Sequence, residues 1–139
     1  MQRTHNELQN ELRKLLIAKY GASAVKQEED LIDLMVHLGD KTLLIEVKSS
    51  PSAVSCIREA LGQILQYSWQ IGLHGSNVRY VIVGSSAAAE EDIAFLEYVR
   101  RETKLSLAYC TPKTFPAIDT QPLALTSRQF SHPPSQRPF

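Results

Sequence analysis

Apolar residues recur at helical spacing over residues 4–19, THNELQNELRKLLIAK, where Leu8, Leu12, Leu15 and Leu16 line one side. Thr4 is placed to cap this helix, Glu7 three residues later completes a capping box, and Gly21 is placed to end it. Ala24 to Glu28 suits a short strand. The pattern then changes. Residues 31–37, LIDLMVH, and 42–48, TLLIEVK, are rich in apolar and β-branched residues, and the LGDK between them is a tight-turn signal. Together they predict a β-hairpin over 31–48. Pro51 and Ser52 open a long helix over 53–71, with a buried stripe expected through Ile57, Leu61, Ile64, Ser68 and Ile71. The segment 74–77, HGSN, reads as a turn, and 78–83, VRYVIV, as a central buried strand. A third helix is expected over 90–101, since Glu90, Glu91 and Asp92 at its start and Arg100 and Arg101 at its end match the helix dipole. Leu105 to Tyr109 predicts a last strand.

From Thr111 the character changes: six of the seven prolines fall in the final 29 residues, which disfavours helices and central strands there. The chain therefore divides into a domain over 1–110 and a Pro-rich tail over 111–139, docked or flexible, with Phe115, Phe130 and Phe139 as anchors for docking. The order helix, strand, hairpin, helix, strand, helix, strand implies an α/β fold, a mixed sheet flanked by helices. Within it the strand–helix–strand crossover over 42–83 makes two strands parallel, with a right-handed connection.

Composition narrows the class. The chain has 139 residues, 43% hydrophobic and 22% charged, as expected of one ordinary soluble domain. No apolar run approaches the ~20 residues of a membrane span, and the polar start MQRTHNELQNEL lacks the apolar region of a signal peptide. The expectation is a cytoplasmic protein without a membrane partner. Cys56 and Cys110 have no metal-like spacing and are expected to be reduced, so zinc is not expected. Fifteen basic residues balance fifteen acidic ones, so any surface that attracts nucleic acid must be local.

The charges inside the hairpin raise the question of function. A two-residue turn at Gly39-Asp40 pairs residue 38 with 41 and sets Asp33 directly opposite Glu46. Two like charges facing each other across apolar strands are destabilising. The conflict is relieved if one carboxyl is protonated, if a cation bridges them, or if the register differs. Lys48, two residues on from Glu46, shares its face of the strand. Two carboxylates and an amine suit a hard divalent ion and an activated water, because Mg²⁺ takes oxygen ligands and keeps several waters. The plainer alternative is a salt-bridge network at a sheet edge.

Asp33, twelve intervening residues and then Glu46-Val47-Lys48 resembles the motif of the PD-(D/E)XK nuclease superfamily, which includes restriction endonucleases, Holliday-junction resolvases and repair nucleases. The element order is similar to that superfamily's restriction-endonuclease-like αβββαβ core. The helix segment IREALGQILQYSW carries Gln63 and Tyr67 four residues apart, as recurs after the motif in many members. The resemblance covers about residues 4–84. It departs in two places. Ile32 stands where a proline often precedes the first Asp, and the Glu often found on the first helix has two candidates here, Glu7 and Glu11, with His5 as an alternative occupant of that place and Glu28 as another contributor.

The resemblance implies roles. Asp33 and Glu46 would ligate Mg²⁺ or Mn²⁺, with the Val47 carbonyl as a third oxygen. Lys48 would orient or help deprotonate the attacking water and stabilise charge on the phosphate. Gln63 and Tyr67 share one helix face and would approach the site and the nucleic-acid backbone; alternatively Tyr67 is a core residue and Gln63 a solvated one. Trp69 is expected to pack and Arg58 to lie on the surface, while His37, His74 and His132 show no ligand spacing. The function implied is metal-dependent hydrolysis of DNA phosphodiesters. The rival is a catalytically silent module of the same fold that binds nucleic acid or a protein. A chain of this size leaves little room for a separate target-recognition domain, so a homodimer or partner protein is also in view.

Overall fold

The computed structural model describes residues 4–27, 32–71 and 77–118. The first helix, α1 (His5–Tyr20), begins where the Thr4 hydroxyl accepts the Glu7 N–H at 3.2 Å and ends at Gly21, whose φ of 90° suits glycine. After one 3-10 turn the chain enters β1 (Val25–Gln27), then β2 (Leu34–Leu38) and β3 (Lys41–Val47). Helix α2 (Ala53–Ile71) follows, capped by the Ser52 hydroxyl accepting from the Ser55 N–H at 3.2 Å. Then come β4 (Val78–Val83), α3 (Glu90–Thr103) and β5 (Leu107–Cys110), and a one-turn helix α4 (Phe115–Ile118).

The five strands form one mixed sheet in chain order. β1, β2 and β3 are antiparallel neighbours; β3, β4 and β5 run parallel. The β2–β3 turn is the two-residue Gly39-Asp40, with Leu38 paired to Lys41. Gly39 has φ of 67° while Asp40 stays out of the left-handed region, the pattern of a type II′ hairpin turn.

Alternation along the strands builds two cores. Leu34, Val36, Leu43, Ile45, Val47, Val81 and Val83 pack against Leu8, Leu12 and Leu16 of α1. Met35, Leu44, Tyr80 and Ile82 pack against Cys56, Ile57, Ala60, Ile64 and Tyr67 of α2 and Val99 of α3. Asp92 ties the two helices of that layer: its carboxylate accepts the Ala89 N–H at 2.7 Å and the Val54 N–H at 3.2 Å, capping α3 and meeting the first turn of α2.

Several expectations shift. β2 starts at Leu34, because Asp33 sits in a bend and spends its carboxylate on backbone. α3 runs on to Thr103 and closes on Lys104 in the left-handed region, which delays β5 to Leu107. The buried stripe of α2 widens to take in Ala53, Cys56, Ala60 and Tyr67, with Leu61 only half-buried; the side chain of Ile71 lies outside the described residues. Trp69 does not pack: it is 80% exposed. The tail forms helical turns where none was expected. Pro112 and Pro116 occupy first-turn positions, where a missing N–H costs nothing, and Phe115 docks at 2% exposure. Glu28, His74, Phe130, His132 and Phe139 lie outside the described residues. Cys56 and Cys110 are free thiols, both buried. No helix among the described residues is long and apolar enough to cross a membrane.

Candidate active site

The hairpin register runs unbroken from Leu38–Lys41 to Leu34–Ile45, and Asp33 follows in a bend just beyond it. Asp33 N–H donates to the Ile45 carbonyl at 3.1 Å, and the Val47 N–H donates back to Asp33 Oδ2 at 2.8 Å. Asp33 thus faces Glu46 across the start of β2 and the end of β3. The same carboxylate oxygen is met from α1, where His5 Nε2 in the first turn lies 3.3 Å away.

Glu46 is 2% exposed, and its Oε2 is buried without a hydrogen-bond partner. Burial pushes its carboxyl up to about 9 from the ordinary 4.5; Asp33 adds to this as hydrogen-bond partner and as like charge, and Lys48 pulls part of the way back. Burial and the Asp33 charge thus favour protonation of Glu46 among the ways out of the like-charge conflict.

Lys48 follows on the same face. Its backbone N–H continues the parallel ladder to the Val83 carbonyl at 2.9 Å, and its ammonium donates to Gln63 Oε1 on α2. Gln63 is therefore a partner of Lys48 and not a solvated residue. Tyr67, one turn further, is buried in the α2-side core near Tyr80. The structure so brings together Asp33, Glu46, Lys48 and Gln63, adds His5, and leaves Tyr67 in a packing position.

Among the helix candidates, His5 is the one seen against Asp33. Glu7 is exposed, and Glu11 lines surface grooves beside Leu15. Two supporting sets of contacts escaped the sequence reading. The Cys56 thiol lies 3.7 Å from the Lys48 carbonyl and 3.5 Å from that of Ser50, holding the exit from β3. Gly84 ends β4 so close to Tyr109 and Cys56 that an added Cβ would collide with the Tyr109 hydroxyl. A glycine directly after a buried strand, VIVG, was the available signal.

The fit to a divalent cation rests on the orphaned Glu46 oxygen beside the Asp33 carboxylate. A cation there would satisfy a buried acceptor and cancel the repulsion between two acids. Among the described residues no group of three or more His, Cys, Asp and Glu is gathered for a metal. The chain would thus supply two carboxylates and the Val47 carbonyl, and other oxygens would complete the shell. Comparison with known proteins adds no assignment: no family model, curated protein or solved structure matches the chain.

Proposed function

We propose that this chain is a metal-dependent nuclease of the PD-(D/E)XK type, hydrolysing DNA phosphodiester bonds. The observation that carries the reading is the convergence of Asp33 and Glu46 at the end of the hairpin, with Lys48 beside them and held by Gln63. The succession α1, β1, β2, β3, α2, β4 supports the reading, being the order expected of a restriction-endonuclease-like core. Asp33, Glu46 and the Val47 carbonyl would hold Mg²⁺ or Mn²⁺. A bound ion of this kind acidifies water and offsets phosphate charge.

The chain's own side chains do the rest. The Val47 N–H and His5 fix the Asp33 carboxylate in place. Gln63 fixes the Lys48 ammonium, which orients the attacking water and meets the charge that develops on the phosphate. Glu46 must give up its proton before it can ligate, so metal loading and deprotonation are one linked event. The test is a panel of linear, single-stranded, flapped and branched DNA incubated with Mg²⁺ or Mn²⁺ at low salt. Cleavage by the wild type and its loss in Lys48→Ala are expected. Undiminished cleavage in the variant would assign the activity elsewhere.

One observation favours a second reading. Glu46 is almost fully buried, and that burial pushes its carboxyl up, as it would in a purely structural acid. A silent module that binds nucleic acid or a protein then remains the competitor. Salt-sensitive DNA binding without cleavage under any metal would select it.

A further inference from the structure

Opposite its buried side, α2 exposes Arg58, Gly62, Leu65 and Trp69. Leu65 is 42% and Trp69 80% exposed, and they lie one turn apart. Single exposed apolar residues are ordinary. A tryptophan and a leucine stacked on one stripe, with a side-chain-free position beside them, are not. The spacing is four, three, four, the seam spacing of two helices packed together.

We propose that a second copy of this chain docks here, α2 against α2 in antiparallel fashion about a two-fold axis. The pattern is self-complementary. Because four-three-four reads the same in both directions, an antiparallel pairing sets Arg58 against Trp69 of the second copy and Gly62 against Leu65 of the second copy, each contact made twice. Gly62 has nothing within 4 Å of an added Cβ, so it leaves a hole for the leucine. The Arg58 guanidinium meets the face of the indole, a favourable cation–π pair. Such an isologous interface is what the commonest soluble dimers use.

Charge selects this occupant over nucleic acid. From Ala60 to Ile71, α2 has no Lys, Arg, Asp or Glu. A surface that follows phosphates needs cations; the core of a protein interface is depleted of charge and enriched in aromatics and Arg. The seam spans the twelve residues from Arg58 to Trp69, about 16 Å of helix, which makes a small and reversible interface. It lies on the outer side of α2, while Gln63 meets Lys48 on another side, so the dimer leaves the candidate site open. The inference does not depend on the nuclease reading.

The chain has one tryptophan, so Trp69 fluorescence reports this face directly. Full-length protein is followed by sedimentation equilibrium and by emission over a hundredfold concentration range. Mass should rise from one copy to two, with emission moving to the blue in step. Leu65→Glu, at an exposed position, should keep its circular dichroism and remain a single copy throughout. Mixed Gly62→Cys and Leu65→Cys chains should form a disulfide-linked pair on mild oxidation more readily than Gly62→Cys alone. A single-copy mass at every concentration overturns the proposal, as does a dimer that Leu65→Glu leaves intact. Quenching of Trp69 by oligo-dT with the mass still that of one copy would give the face to single-stranded nucleic acid, and also overturns it.

Discussion

The Glu46 carboxyl meets that of Asp33 at the open end of the β2–β3 hairpin, and burial, with Asp33 as hydrogen-bond partner and like charge, pushes it up to about 9. The unfolded chain releases the Glu46 proton near the ordinary 4.5. Between these values the folded state holds more protons than the unfolded, so this group lowers stability as pH rises across the window. Glu46→Gln keeps the shape and removes the titration. Thermal melts from pH 5 to 9 should show a flatter profile for the variant, and at pH 8.5 a Tm a few degrees above wild type, on the order of 1 kcal/mol or more. Parallel profiles for the two proteins would remove Glu46 as the titrating acid.

Metal should act most where the proton is most easily displaced. Mn²⁺ is expected to raise the Tm of the wild type, and more so at pH 8 than at pH 6. A concentration about a hundredfold above the dissociation constant would add about 2.7 kcal/mol. Asp33→Asn should lose the response, since one carboxylate and a carbonyl make a poor site. An equal Mn²⁺ shift in wild type and Asp33→Asn would place the ion elsewhere.

Lys48 and Gln63 differ in what their loss should cost. Lys48→Ala removes the ammonium but keeps the backbone bond to Val83, so folding is retained while cleavage falls by about a hundredfold or more. Gln63→Ala leaves the ammonium present but less fixed, and about a tenfold loss is expected. The check is single-turnover cleavage with circular dichroism of each variant. If Gln63→Ala proves the more damaging, Gln63 touches the substrate itself.

Gly84→Ala tests the support behind β3 and β4. The new methyl would collide with the Tyr109 hydroxyl and crowd the Cys56 sulfur at 3.0 Å. A loss of about 1–3 kcal/mol is expected, read from urea unfolding. Tyr109→Phe in the same background should recover part of it by removing the obstructing oxygen. No loss in Gly84→Ala would mean that the tyrosine moves aside freely.

The hairpin was legible because its turn is short. Gly39-Asp40 leaves one register, which pairs Leu34 with Ile45 and so brings Asp33, next in the chain, to the Glu46 end of β3. The crossover was legible from the two apolar runs flanking a helical one. What escaped concerns rotation and direction. His5 and Glu7 differ by about 200° around α1, and only docking on the sheet decides which one meets Asp33. On α2 the stripe through 57, 61, 64 and 68 and the stripe through 58, 62, 65 and 69 are offset by a single residue and both carry apolar groups. Periodicity turned the first stripe inward, as found; Trp69, on the second, was expected to pack all the same and is exposed. The Asp33 bend was hidden for a different reason: a carboxylate that captures a strand N–H leaves no trace in the hydrophobic pattern.

Glu46 stands in register with Ile82 of β4, a strand that enters the chain only after the whole of α2. We expect the hairpin to close first and the burial of Glu46, with the proton uptake that burial favours, to come when β4 pairs along β3. Folding at neutral pH should therefore be timed by proton uptake: about one proton per chain, drawn from solution when the two halves of the sheet join. In a weakly buffered stopped-flow experiment with an indicator dye, that uptake would follow the step of sheet closure, and it would vanish in Glu46→Gln.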